Sequence, residues 1–341
     1  MNKASWALLL LIGISGISFA GDSYLDSLKS MSRDAAPAAN NNIPAPTPAA
    51  NSNDPANNAN PANTINPADN INPDDTVGAA GSRYFNSYVL KAVKQLYGNY
   101  KLLGYDIHSV LTHNVTYYTD APIPATNPPK TMCVAAQMEV ILTAYQLYAQ
   151  DTGDYSIYKY LPRESFIGLT QDDIKGHIWV NKNFNSFGTA DALYNFGMGD
   201  KIPFEQLKPG SFVNINRTTG TGHAVTFIGY INSSGTVLAA YDPSVVGFEY
   251  FSSQGGAAAG AGGFDFRDAV FSQYGCPTNM PIKRDCNVIY STDRTYLNTG
   301  MMLSPKYWQH PAAPKAISLP GFPKEETVLD EKFFDGHTTD D

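Results

Sequence analysis

The chain has 341 residues, a formal net charge of −8 and an isoelectric point near 5.2. A negative chain without a cluster of basic residues argues against nucleic acid or an anionic membrane surface as the main partner. Between two atypical ends lie roughly 230 residues, enough for one substantial hydrophobic core.

The N-terminus has the pattern of a secretory signal peptide. In Met1–Ala20 a single lysine, Lys3, precedes an apolar run, and small residues follow at the cleavage positions. The apolar run is too short for a membrane span. We therefore expect an exported protein, periplasmic or secreted, with no integral membrane segment after signal cleavage.

Residues 21–81 are rich in Asn, Pro and Ala, and an Asn-Pro or Asp-Pro pair recurs every six residues from Asp54 to Pro73. Proline at this spacing prevents regular hydrogen bonding, and the apolar surface is too small to offset the entropy of ordering. The sequence predicts a disordered linker over 21–81, a folded domain over 82–312 and an acidic tail over 313–341.

The folded domain opens with a predicted helix over Ser82–Tyr97, followed by a long apolar helix after Pro128 and Pro129 that Thr131 can cap. Cys133 falls in the first turn of that second helix. Unpaired N–H groups and the helix dipole favour a thiolate there, although packing is the alternative role for a lone cysteine.

Histidines earlier in the domain do not indicate a metal site. His108 and His113 stand in polar surroundings without a cysteine, histidine or carboxylate at metal-ligand spacing. We interpret both as surface residues and predict no metal and no cofactor.

The second half predicts a helix from Thr189, a turn over 204–210 and a strand over 211–215. A second strand runs from His223, and a turn at 232–235 leads into a return strand that Asp242-Pro243 ends. In a tight hairpin the start of the first strand lies beside the end of the second. The sequence therefore predicts that His223 and Asp242 meet.

The three cysteines divide into a close pair and a single residue. Cys276 and Cys286 flank nine residues, and in an oxidising compartment we expect them to form a disulfide. Cys133 would then remain as a thiol, which an exported protein either buries or keeps for its reactivity.

A cysteine nucleophile needs a base for its proton, and a carboxylate on the far ring nitrogen orients a histidine base. Cys133, His223 and Asp242 supply these three groups. We predict Cys133 as nucleophile, His223 as general acid and base, and Asp242 as the residue that orients His223.

Taken together, these motifs resemble the papain-like cysteine peptidase and amidase superfamily. The resemblance covers about Lys130 to Pro243. It rests on the cysteine that starts an apolar helix and on three short motifs: Leu207-Lys208-Pro209-Gly210, Gly222-His223-Ala224-Val225 and Tyr241-Asp242-Pro243.

The resemblance implies an α+β, papain-like fold in which an N-terminal catalytic helix packs on a small antiparallel β-sheet. It also implies a thioester at Cys133 during cleavage of peptide or peptidoglycan amide bonds. Many members carry an oxyanion-donating glutamine where this chain has Asn127, and Gln137 is a second candidate for that role.

Two other functions are compatible with the sequence. One is a catalytically inactive binding protein that uses Phe248–Phe251 and Gly255–Gly263 as its surface. The other is an acyl transferase, similar to the transglutaminases, that shares the thioester chemistry.

Overall fold

A computed structural model describes residues 82–117, 121–159, 188–195, 197–219, 221–256, 258, 260–275, 285–293 and 296–309. The predicted signal peptide, linker and acidic tail lie outside these residues, as do Cys276 and with it the predicted disulfide. No helix within the described residues is long and apolar enough to cross a membrane.

Three α-helices form within the described residues. They are α1 (Asn86–Tyr100), α2 (Cys133–Thr152) and α3 (Thr189–Asn195). All three were predicted from the sequence, and α1 begins four residues later than expected. Apolar residues at helical spacing bury one face of α1; they are Val89, Ala92, Val93 and Leu96.

The helix that starts with Cys133 is buried on almost every side. Fourteen of its residues are buried, and Gly153, in the left-handed conformation at φ 70°, ends it. The prediction that Thr131 caps α2 is wrong. Met132 is the N-cap residue, and the Thr131 hydroxyl instead donates to the carbonyl of Val110 at 2.8 Å.

The strands in the described part of the chain form one eight-stranded sheet. They are β1 (Gly199–Lys201), β2 (Phe212–Asn216), β3 (Gly222–Asn232), β4 (Val237–Leu238), β5 (Val245–Gly255), β6 (Gly262–Phe271), β7 (Asp285–Ile289) and β8 (Leu297–Met302). Their order is β1-β8-β2-β3-β5-β6-β7, with β4 on the edge of β3. All pairs are antiparallel except β6 and β7, which are parallel.

This architecture corrects the predicted fold class. A helix on a small antiparallel sheet was expected, whereas the described residues form a large mixed sheet with three helices. The reason is that β8 inserts between β1 and β2, and β5 and β6 extend the sheet with strands of 11 and 10 residues. Pairing between strands that are distant in sequence cannot be predicted from local hydrophobic periodicity.

Hydrophobic side chains fill both faces of the sheet. A helix-side core packs α1 and α2 on one face and includes Cys133, Ala224 and Phe251. An outer core covers the other face and includes Val225 and Tyr250. Adjacent residues of β3 and β5 thus enter different cores, as the strand period of two requires.

Candidate functional site

The sheet divides at one end. Pairing between β3 and β5 stops at Thr226 and Phe251. Residues 222–225 continue in β3, paired with β2, while residues 252–255 continue in β5, paired with β6. The Ser252 hydroxyl still donates to the carbonyl of Ala224 at 2.7 Å, so the two segments remain in contact where they begin to part. We call the place where these two four-residue segments diverge the sheet opening.

The first turns of α2 lie over the sheet opening. The Gln137 side-chain oxygen accepts a hydrogen bond from Thr226 Oγ1 at 2.7 Å, and its Nε2 donates to Ser252 Oγ at 3.5 Å. Ser253 Oγ donates to the carbonyl of Thr131, just before the helix, at 3.2 Å. Gln137 therefore bridges both strands that flank the opening.

Cys133 is placed by this arrangement. It is the first residue of α2 and lies one turn before Gln137, so the two side chains share a face of the helix. That face contacts the sheet. The residue is 3% exposed, and its sulfur is not in a disulfide. Cys133 is thus a buried thiol at the helix N-terminus, on the helix side of the sheet opening.

His223 borders the same opening from β3. Because Ala224 lies in the helix-side core and Thr226 bonds to α2, strand alternation directs the His223 side chain to the other side of β3. There its ring packs edge-to-face on Tyr250, with ring centroids 5.5 Å apart. Cys133 and His223 therefore approach the sheet opening from opposite sides of β3.

Asp285, which was not predicted from the sequence, is a carboxylate whose charge interacts with that of His223. Asp285 is fully buried, and it accepts hydrogen bonds from Arg217 Nε and from the Tyr250 hydroxyl. Burial by itself would raise the pKa of Asp285, but the positive charges of Arg217 and His223 and the Tyr250 hydrogen bond hold it below its ordinary value. Burial of Tyr250, and then the charge of Asp285, raise the pKa of the Tyr250 hydroxyl well above its usual range.

We call these four residues, Arg217, His223, Tyr250 and Asp285, the polar cluster. Its members come from β3, β5, β7 and the end of β2, which are distant in sequence. The sequence feature that could have pointed to this cluster is a charged residue next to a strand: Arg217 follows β2, and Asp285 starts β7. Such a signal suggests a buried partner without identifying it.

Asp242 does not reach His223. The predicted return strand shrinks to β4, which pairs with Tyr230 and Ile231, and Val245 of β5 then pairs with Asn232. Asp242 therefore lies near the Asn232 end of β3, whereas His223 lies at the opposite end of that 11-residue strand. The predicted juxtaposition of Asp242 with His223 is wrong.

The Asp242 side chain has a local role instead. Its carboxylate is exposed and accepts hydrogen bonds from the backbone N–H of Ser244 at 2.7 Å and from the Ser244 hydroxyl at 2.5 Å. These two bonds lower its pKa. Asp242 is a turn residue that precedes β5.

The two predicted oxyanion donors differ in placement. Asn127 is exposed and precedes a cis peptide bond to Pro128. Gln137 is fully buried, and both ends of its amide already contact Thr226 and Ser252. Gln137 thus acts as a polar bridge within the core, and the donors nearest Cys133 are the N–H groups of the first turn of α2.

One histidine that was interpreted as a surface residue is paired instead. The His113 side chain is 12% exposed, and its Nδ1 lies 2.7 Å from Oε1 of the fully buried Glu139 in α2. The same Oε1 accepts hydrogen bonds from the backbone N–H and the hydroxyl of Thr112. Tyr100 stacks on the His113 ring. These contacts attach the segment before α2 to that helix, whereas His108 is exposed as predicted.

Of the surface suggested for a binding protein, the Phe248–Phe251 part is buried, whereas the described residues of Gly255–Gly263 include exposed ones. Phe248, Tyr250 and Phe251 are each fully buried. Elsewhere, a cavity of about 350 Å³ lies beside β1 and β8, with Lys201 and Glu205 among its lining residues. Among the described residues, no group of three or more His, Cys, Asp or Glu side chains is arranged to hold a metal ion.

Comparison with protein-family models, with curated proteins and with solved structures found no match to this chain. The site is therefore interpreted from its own geometry.

Proposed function

We propose that the chain is an exported cysteine hydrolase in which Cys133 and His223 act together through the sheet opening. The observation that supports this most directly is the end of β3–β5 pairing at Thr226 and Phe251. It leaves the first turn of α2 and the start of β3 beside the place where β3 and β5 diverge. The polar cluster adds Asp285 on the His223 side, in place of the Asp242 that the sequence suggested.

The chemistry is cleavage of an amide bond in two stages. His223 accepts the thiol proton of Cys133, and the thiolate attacks the amide carbonyl while N–H groups of the first turn of α2 stabilise the oxyanion. His223 then delivers the proton to the departing amine, which leaves a thioester on Cys133. Water, activated by His223, hydrolyses the thioester, releases the acid and restores the thiol.

In this scheme Asp285 acts on His223 rather than on the substrate. Its charge favours the imidazolium that forms when His223 takes the thiol proton, because opposite charges within a buried site attract strongly. The hydrogen bonds from Arg217 and Tyr250 hold the carboxylate in place.

The substrate class we propose is a peptide or peptidoglycan amide. The predicted signal peptide and linker would place the domain outside the cytoplasm on a long tether, which suits a polymeric target in an envelope. The net charge of −8 also argues against nucleic acid as a substrate, because like charges repel.

Trapping of the thioester tests the proposal. The purified protein is incubated with peptide libraries and with peptidoglycan fragments, and intact-mass spectrometry follows acylation of Cys133 and release of product. We expect Cys133→Ala to abolish both signals and His223→Gln to slow product release by about 10²- to 10⁴-fold. Undiminished hydrolysis by Cys133→Ala would refute the nucleophile.

Two matched aspartate variants test the third residue. Asp285→Asn should slow product release, whereas Asp242→Asn should leave it unchanged because that carboxylate contacts only its own turn in the described structure. Slower product release in Asp242→Asn than in Asp285→Asn would show that Asp242, not Asp285, acts with His223. Circular dichroism of both variants separates loss of activity from loss of fold.

A binding protein without turnover is the second candidate, and one observation favours it. Cys133 is 3% and His223 1% exposed, and the two side chains lie on different sides of β3. A substrate would have to enter through the sheet opening. In a binding protein the polar cluster would serve stability alone, and the thiol would be unreactive at neutral pH.

A further inference from the structure

A pair of acidic side chains outside the polar cluster lies in the ladder between β5 and β6. Glu249 of β5 is directly opposite Asp268 of β6. Glu249 is 8% exposed, and its Oε2 makes no hydrogen bond within the described structure. Asp268 is half-buried. Like charges in directly opposed positions of a sheet are destabilising.

Among the described residues, the strand neighbours of this pair on its own face carry no charge. On β3, the residue paired with Glu249 is Gly229, which has no side chain. On β5, the neighbours that share its face are Gly247 and Phe251. On β6, the corresponding neighbours of Asp268 are Phe266 and Val270.

The cationic side chain nearest to Asp268 in sequence, Arg267, does not neutralise this pair. Arg267 precedes Asp268, so it faces the opposite side of β6, and its Nη2 donates to the carbonyl of Gly255 at 2.8 Å. Among the described groups, Asp268 is the charged partner that acts on Glu249.

Burial and the neighbouring charge make this pair hold a proton near neutrality. Burial first, and then the charge of Asp268, raise the pKa of Glu249 to about 8. Burial alone raises the pKa of Asp268 to about 6. Near pH 7 the pair therefore carries one negative charge rather than two.

We propose that Glu249 and Asp268 form a pH-sensitive latch between β5 and β6, which is closed while the pair holds a proton and weakened when both carboxylates are ionised. Release of the proton to solvent places two like charges in opposed positions of the ladder. The next residue of β5 is Tyr250, which holds Asp285 on the other face. Opening of this ladder would therefore also disturb the polar cluster.

The sign of the pH effect follows from the raised pKa values. A carboxyl whose pKa is higher in the folded state than its unfolded value of about 4.3 gives stability that is present in acid and lost as the pH rises toward 8. We therefore expect the β5–β6 ladder to open more than about tenfold more often at pH 8.5 than at pH 6.

Hydrogen exchange measures the opening directly. Amide exchange of β5 and β6 is recorded at pH 6 and pH 8.5 in the full chain and corrected for the intrinsic rate at each pH. The protection of these amides should fall by more than about tenfold in the natural protein. In Glu249→Gln, which keeps the shape but cannot ionise, protection should depend little on pH.

Glu205→Gln is the matched control, because Glu205 is an exposed glutamate outside the sheet. It should behave like the natural protein. A fall in protection that persists unchanged in Glu249→Gln would overturn the latch. Should that variant not fold, a carbon NMR titration of the natural protein decides: a Glu249 carboxyl that titrates near 4.3 overturns the latch, and one that titrates near 8 supports it.

The latch does not depend on Cys133 or His223. Absence of thioester in the trapping experiment would leave the exchange result intact, and a pH-independent exchange would leave the hydrolase proposal intact.

Discussion

Two aspartates of this molecule, Asp285 and Asp242, differ in burial and in the groups that they bind. Asp285 is fully buried and bonded to Arg217 and Tyr250, whereas Asp242 is exposed and bonded to Ser244 in a turn. A buried carboxylate without its cation would be strongly unfavourable, so the Arg217–Asp285 pair must form for the fold to hold.

We expect Asp285→Asn to destabilise the protein by about 3–5 kcal/mol, because it leaves the Arg217 guanidinium buried without its counter-charge. Asp242→Asn should leave the unfolding midpoint in urea unchanged. Equal midpoints for the two variants would contradict a stabilising role for the buried pair.

The lowered pKa of Asp285 also fixes a direction of pH dependence. A carboxyl whose pKa is lower in the folded state gives stability that is present above its unfolded value of about 3.9 and lost as the pH falls through the folded value. Urea midpoints measured from pH 5 down to pH 2 should fall more steeply in the natural protein than in Asp285→Asn. Parallel curves would show that Asp285 does not contribute.

Among the elements, the long strands β5 and β6 pack closely because of a glycine. A Cβ atom added at Gly247 would lie 1.9 Å from the carbonyl oxygen of Ala269 on β6. A Cβ atom added at Gly98, in α1, would meet nothing within 4 Å. The first glycine is required by close approach of the backbone, and the second is not.

Alanine at these two positions should therefore have opposite effects. Gly247→Ala should destabilise the protein by about 1–3 kcal/mol, since the clash is with backbone that cannot turn aside. Gly98→Ala should stabilise it by about 0.5–1 kcal/mol, because alanine favours a helix interior. Thermal unfolding of both variants measures this, and a stabilised Gly247→Ala would contradict the observed packing of β5 on β6.

Local patterns predicted the elements better than their arrangement. The apolar periodicity after Pro129 predicted α2, and the alternation from His223 predicted β3, since both depend on neighbours in sequence. The length of the return strand was not predictable, because a glycine-containing turn fixes a hairpin start and not its end. Asp285 was missed for the same reason: the pairing of β7 with β6 brings it to Tyr250 from 35 residues away.

At the scale of the whole molecule, α2 joins two parts of one sheet. β2 and β3 lie on one side of the sheet opening, β5 and β6 on the other, and the Gln137 amide contacts both. Cys133 and His223 are the two groups beside this opening that we propose to react. Whether they act as a pair distinguishes a hydrolase from a binding protein.

The rate of iodoacetamide alkylation of Cys133 against pH, in the natural protein and in His223→Ala, tests this most directly. A Cys–His pair predicts alkylation that persists well below the free-cysteine pKa of about 8.5 and is lost in the variant. Alkylation that occurs only at alkaline pH and is the same in both proteins would contradict the hydrolase and favour the binding protein.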